Sequence, residues 1–235
     1  MTGPKNILQA GLAKGVSNMP RADFERKLNQ VQDEVVELSS MVEKAIFKSI
    51  DALKSRDIEL SKQVVEEDDL IDNKQQALED LCVDLIALEA PMAVDLRVII
   101  SAMMVANELE RMGDYAEGIA KLSIAMGDLP PLKPLIDIPR MAEKSVSMLR
   151  RSIESYVSRD IEGARQVYRD DDEVDEIYEQ VYRELLTYMM ADPSTIQRAT
   201  YLLWVSHDLE RVADRTTNIA ERVMYLVTGT TEMGV

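Results

Sequence analysis

The chain has 235 residues, 46% of them hydrophobic and 5% aromatic, with 9 glycines and one cysteine. That balance suits helices packed through aliphatic side chains, in one large or two small domains, and excludes a β-sandwich or an intramolecular disulfide framework. Acids outnumber bases 43 to 27, and the resulting net charge of −16 repels phosphate backbones and anionic lipid, which excludes nucleic acid and bare membrane while suiting cations and basic protein faces.

Residues 1–20 carry three glycines and two prolines and are predicted to be a flexible N-terminal extension. They lack the apolar core of a signal peptide, so a soluble, cytoplasmic protein is expected. The first predicted three-helix bundle covers residues 21–127. One helix runs through "DFERKLNQVQDEVVELSS" to about Asp57, and a second spans about Ile58 to Leu88. "EAP" at 89–91 breaks the second, and a third runs on to about Met126 with Pro91 among its first residues. Cys82 lies among Leu78, Leu81 and Leu85 and is predicted to be a buried structural thiol. The longest apolar run, Val98 to Ala106, is about half of the roughly 20 residues that a membrane span needs, so no direct membrane insertion is expected.

A proline-rich linker follows at 128–139; the stretch 127–139 holds four of the eight prolines in the chain. The second bundle, 140–228, contains helices at about 140–157, 160–190 and 193–227, with a break at "ADPS", 191–194. Residues 229–235 are predicted to be a frayed tail. "SRDIE" at 55–59 recurs at 158–162, and "DDLID" at 68–72 aligns with "DDEVD" at 171–175 at the same offset of 103. "LERMGDYAEGIAK" (109–121) recurs as "LERVADRTTNIAE" (209–221) at an offset of 100. The fold class is therefore all-α: two tandem three-helix bundles related by an internal repeat.

The repeated segments carry acid pairs four residues apart: Asp68/Asp72 and Glu110/Asp114, then Asp171/Asp175 and Glu210/Asp214. On the third and sixth helices these acids fall opposite the apolar stripe, which predicts an outer, unburied face. Both pairs of each repeat also lie about 20 residues from the same helical turn, so an antiparallel hairpin brings four carboxylates to one level. Like charges that close raise one another's pKa, and a multivalent cation relieves them; hard oxygen ligands suit Mg²⁺, Ca²⁺, Mn²⁺ or iron. The other reading is a solvated acidic face on which Arg111 and Arg211 make ordinary surface ion pairs. His207, the only histidine, stands one turn before Glu210, where the first repeat has Asn107, and reads as a surface residue. Trp204 and the pairs Met103/Met104 and Met189/Met190 read as core or partner-contact residues.

Enzymes fit poorly. A di-iron oxidase of the bundle type needs two inward Glu-x-x-His motifs, and one histidine cannot supply them. No Walker loop, Gly-x-Ser-x-Gly motif or Cys/His pair is present.

The segments "APMAVDLRVIISAMMVANELERMGDYAEGIAK" (90–121) and "HDLERVADRTTNIAE" (207–221) resemble the two signature segments of the PhoU family, and the resemblance extends from about Phe24 to Val227. It implies a cytoplasmic, non-enzymatic negative regulator of phosphate uptake and of the phosphate-starvation response. Its implied partners are the ATPase of the phosphate ABC transporter, a phosphate-sensing histidine kinase and a second copy in a homodimer. It also implies iron, zinc, magnesium or manganese held by Asp68, Asp72, Glu110 and Asp114 in one repeat and by Asp171, Asp175, Glu210 and Asp214 in the other. Ala90 replaces a common glutamine of the family, and the first repeat departs from its "HAxN" continuation, which the second keeps better as Asn218. From this, the second site is expected to be the tighter. An acidic helical scaffold without functional metal is the alternative function.

Overall fold

The computed structural model describes residues 21–127 and 129–232. The N-terminal extension at 1–20 and tail residues 233–235 lie outside the described residues. Six long helices follow one another: α1 (Arg21–Ser55), α2 (Ile58–Glu89), α3 (Val94–Met126), α4 (Asp137–Ser158), α5 (Ile161–Ala191) and α6 (Ile196–Thr228). A short 3-10 turn, Pro193–Thr195, precedes α6, and no strand occurs among the described residues. The chain forms two tandem three-helix bundles, α1–α3 and α4–α6.

Apolar spacing explains how the helices are buried. On α1, Val31, Val35, Leu38, Val42 and Ile46 recur every three or four residues and are all fully buried. The central pair, α3 and α6, run antiparallel and seal the two bundles together. Small residues such as Ala102, Ala106 and Ala116 on α3, and Ala213 and Ala220 on α6, are buried and allow close helix approach. Across this seam Arg215 donates to Glu108 at 3.2 Å and to the Tyr115 hydroxyl at 3.3 Å, while Asn218 donates to Glu108 at 3.1 Å. Cys82 is fully buried, and burial pushes its thiol up to about 12.

The repeated "SRDIE" motif builds the same corner twice. Arg56 and Arg159 both take a left-handed backbone conformation, φ 60° and 58°, which ends the preceding helix. The next amide then reaches back five residues, from Asp57 to Ala52 and from Asp160 to Ser155, each at 2.9 Å. Each aspartate side chain caps the following helix, accepting from Leu60 N in one repeat and Glu162 N in the other. Asp57→Ala and Asp160→Ala are each expected to cost about 1 kcal/mol, to be read from urea melts, and to add when combined because the corners are independent.

Two boundaries differ from the sequence reading. Pro91 lies in the α2–α3 turn rather than inside α3, because Ala90 and Ala93 both adopt positive φ and the helix begins only at Val94. Conversely, α4 begins at Asp137 and takes in Pro139, since a proline within the first helical turn sacrifices no intrahelical hydrogen bond. Met190 (78% exposed), Trp204 (52%) and Met104 (41%) are surface residues, so for these three the core alternative is set aside.

Candidate metal centre

The first acid cluster forms where α2 lies against α3. Gly113, on the buried side of α3, makes this approach possible. A Cβ there would meet Ile71 Cγ2 at 3.0 Å and Asp68 Oδ1 at 3.3 Å. Asp68 is thereby drawn into the crease between the helices, and carboxylate oxygens of Asp68, Asp72 and Asp114 lie within 4.8 Å of one another. Burial, then the charges of Glu117, Asp72 and Asp114, push the Asp68 carboxyl up to about 7. Burial and the neighbouring acids also raise Glu110 and Asp114, against a lowering influence of Arg111. Arg111 bonds Asn107 Oδ1 at 3.3 Å and makes no bridge to the cluster.

The second cluster gathers Asp171, Asp175, Glu210 and Asp214. Burial, followed by the charges of Asp214, Asp175 and Glu210, pushes Asp171 up to about 7. Asp171 Oδ1 is sealed from solvent and has no hydrogen-bond partner. Such an orphan acceptor is uncommon and calls for a donor or an ion. Here, however, the arginine turns inward. Arg211 bonds both oxygens of Glu210 at 2.8 and 2.7 Å and reaches Asp214 at 2.7 Å, so a cation of the protein occupies part of the acid face.

Of the eight acids named from the sequence, only Asp68, Asp72 and Asp114 bring carboxylate oxygens within 4.8 Å of one another among the described residues. Glu110 feels Asp114 and Asp72 through charge, and Asp175, Glu210 and Asp214 act on Asp171 in the same way without such convergence. The expectation that the acids of α3 and α6 are unburied holds for exposed Asp114 and needs correction for Glu110, Glu210 and Asp214, which are half-buried. The cause is the neighbouring helix: α2 and α5 pack beside α3 and α6 and turn what would be an outer face of each isolated helix into a crease. Sequence reasoning missed Glu117, whose charge acts on both Asp68 and Asp114. Its signal was its position three residues after Asp114; the second repeat has Thr217 in its place. His207 is exposed and stands 3.7 Å from Asp208.

Oxygen-only clusters of this kind are donor sets for hard multivalent cations, and the unpaired Asp171 oxygen and the three converging aspartates fit that chemistry. Fold and site together define a tandem helical-bundle protein with one paired-acid cluster per bundle. The PhoU domain family matches residues 35–123 and 138–223, one match in each bundle, and the chain belongs to the PhoU family. A protein of Clostridium acetobutylicum named phosphate-specific transport system accessory protein PhoU homolog is 36% identical over 212 residues, 90% of this chain and 97% of that one. An Aquifex aeolicus protein of the same name is 39% identical over 204 residues, covering 87% and 92%. Among solved structures, PhoU from Pseudomonas aeruginosa superposes with a TM-score of 0.83 at 33% identity, covering 88% of this chain and all of that one. The phosphate transport system regulatory protein PhoU from Streptococcus pneumoniae gives the same TM-score at 31% identity, covering 89% and 99%. No helix among the described residues is long and apolar enough to cross a membrane.

Proposed function

We propose that this chain is a metal-binding, non-enzymatic accessory regulator of phosphate transport and of the phosphate-starvation response. Membership of the PhoU family and the names of its relatives support the phosphate role. The observation that carries the metal role is the convergence of Asp68, Asp72 and Asp114 within 4.8 Å, while the nearby Lys121 is paired with Glu117 at 2.5 Å and reaches Asp68 and Asp114 only through its charge. Asp68, Asp72, Glu110 and Asp114 would hold one ion or cluster; Asp171, Asp175, Glu210 and Asp214 would hold the other. The chemistry of the donors favours magnesium, manganese or iron over zinc, which prefers nitrogen and sulfur.

The two clusters differ in readiness. An ion entering the second must displace the three contacts of Arg211, whereas at the first Arg111 is turned to Asn107 and Lys121 is paired with Glu117, so neither bonds the three aspartates. The first site is therefore the tighter, reversing the order inferred from sequence. The Arg211 bridge gives the metal-free scaffold reading its one foothold, at the second cluster.

In this reading the protein is a cytoplasmic homodimer that acts by docking, presenting its rigid helical surface to the transporter ATPase and to the sensor kinase. Deletion of the gene is expected to raise phosphatase expression in phosphate-replete medium, and the wild-type gene to restore repression. A gene carrying Asp68→Asn and Asp114→Asn is expected to restore it poorly. Unchanged expression on deletion would remove the regulatory role; full restoration by the variant would separate that role from the first metal site. Affinity capture of the transporter ATPase and the kinase, at high and low phosphate, tests the docking itself.

A further inference from the structure

Where the two bundles are joined, the linker roofs a cavity of about 340 Å³ between the ends of α1 and α3 and the start of α6. Its lining is largely apolar, including Leu53, Met126, Leu129, Leu132, Leu135 and Leu202. Pro130, Pro131 and Pro134 contribute wall without any amide donor. The volume is at the lower end of the range of about 300–1,000 Å³ typical of small-molecule sites.

Cations border this apolar space. Lys54, Arg56 and Arg198 all line it, on a chain whose net charge is −16. Arg56 donates to the carbonyls of Gly127 at 3.2 Å and Leu129 at 2.7 Å, and Arg198 to that of Pro130 at 3.1 Å. Among the described residues none of the three makes an ion pair; Asp192, whose carboxyl the charge of Arg198 helps to lower, accepts from the Ser194 amide and hydroxyl. Lys133, the fourth lining cation, differs: it is buried and paired with Glu184. An apolar chamber edged by cations that no carboxylate of the described residues pairs is complementary to a molecule with an apolar body and one anionic head.

We propose that this cavity binds a small amphiphilic anion, with its apolar body under the proline-rich linker and its carboxylate or phosphate on Arg56, Lys54 and Arg198. Both bundles and the linker contribute to the site, so an occupant would brace the joint between them. The site is separate from the acid clusters: Ser123, in the cavity wall, lies nine residues beyond Asp114 on α3, about 14 Å along the axis.

The test uses the full chain and the fluorescent anion 1-anilinonaphthalene-8-sulfonate, competed with decanoate, decyl phosphate, decanol and inorganic phosphate. Decanoate or decyl phosphate is expected to displace the dye, decanol to need at least about tenfold more, and inorganic phosphate to have no effect. The stronger of the two anions identifies the head group. Arg56→Gln combined with Arg198→Gln should raise the concentration of the anion required by at least about tenfold and leave decanol unchanged. If circular dichroism shows that this pair unfolds the chain, Lys54→Gln and Leu129→Trp, which keep the linker hydrogen bonds, are expected to weaken the anion in the same sense. Absence of dye binding, equal potency of decanol, displacement by inorganic phosphate, or unaltered competition in the folded variants would each overturn the proposal.

Discussion

Metal-free protein is expected to lose stability as the pH rises from about 5 to 8, opposite to the usual trend for carboxylates held in ion pairs. Asp68 and Asp171 are pushed up to about 7 from 3.8, chiefly by burial and then by neighbouring acids. The folded protein therefore keeps protons that the unfolded chain has already released. Linkage sets the sign: the favourable contribution is full below the unfolded value and disappears as the pH climbs through the folded one. Thermal melts in a chelating buffer should show a lower midpoint at pH 8 than at pH 5.5. Replacing both residues by asparagine should flatten most of that slope. Asp208, half-buried and raised to about 6, stays in the variant and leaves a remnant. Excess Mn²⁺ should lift the midpoint most at pH 8, where the ion meets deprotonated ligands. A metal-free midpoint that rises between pH 5.5 and 8 would contradict this reading of the clusters.

Arg211→Gln should have the other large effect, and in two opposing directions. In the metal-free protein Arg211 is the cation that holds Glu210 and Asp214 together, bonding both. Its loss leaves the half-buried Glu210 and Asp214 without a bonded cation, though the charge of Arg215 still acts on Asp214. The expected cost is about 1–3 kcal/mol. For a chain of this size that is a midpoint drop of several degrees, at about 2–4 °C per kcal/mol. The same change opens the second cluster, so Mn²⁺ should bind there more tightly and restore the lost stability. Arg111→Gln at the equivalent position is expected to do little, because Arg111 is turned to Asn107 and bridges no acid. Equal effects of the two substitutions on stability and on metal affinity would show that the asymmetry of the clusters has no energetic meaning.

Most of the architecture was legible in the sequence because the repeat was. "SRDIE" marked two corners, and in the structure its arginine and aspartate do the same local work at both. Acid pairs equidistant from a turn marked a common level, and the three aspartates of the first repeat converge there. What the text of the chain did not reveal is where the repeat is broken in space. Arg111 and Arg211 occupy identical positions in the motif, yet one bonds an asparagine and the other an acid pair, a choice of rotamer and neighbour that identity cannot convey. Across the α3–α6 seam, Asn218 ties Glu108, while Gly118 stands where an equivalent donor would reach Asp208. The burial of the acids was also hidden, because a single-helix wheel omits the helix lying alongside.

If the doubled acid pairs are cation sites, the first, whose three aspartates bond no cation of the described residues, takes the ion first. Equilibrium dialysis against Mn²⁺ at pH 8 compares wild type with Asp68→Asn/Asp114→Asn and with Asp171→Asn/Asp214→Asn, all confirmed folded by circular dichroism. The first pair of substitutions is expected to remove the tightest binding class, with an affinity loss of at least about a hundredfold, and the second to remove only a weaker class. Tight binding undiminished by either pair, or no tight binding to the wild-type protein, would contradict this assignment of the sites.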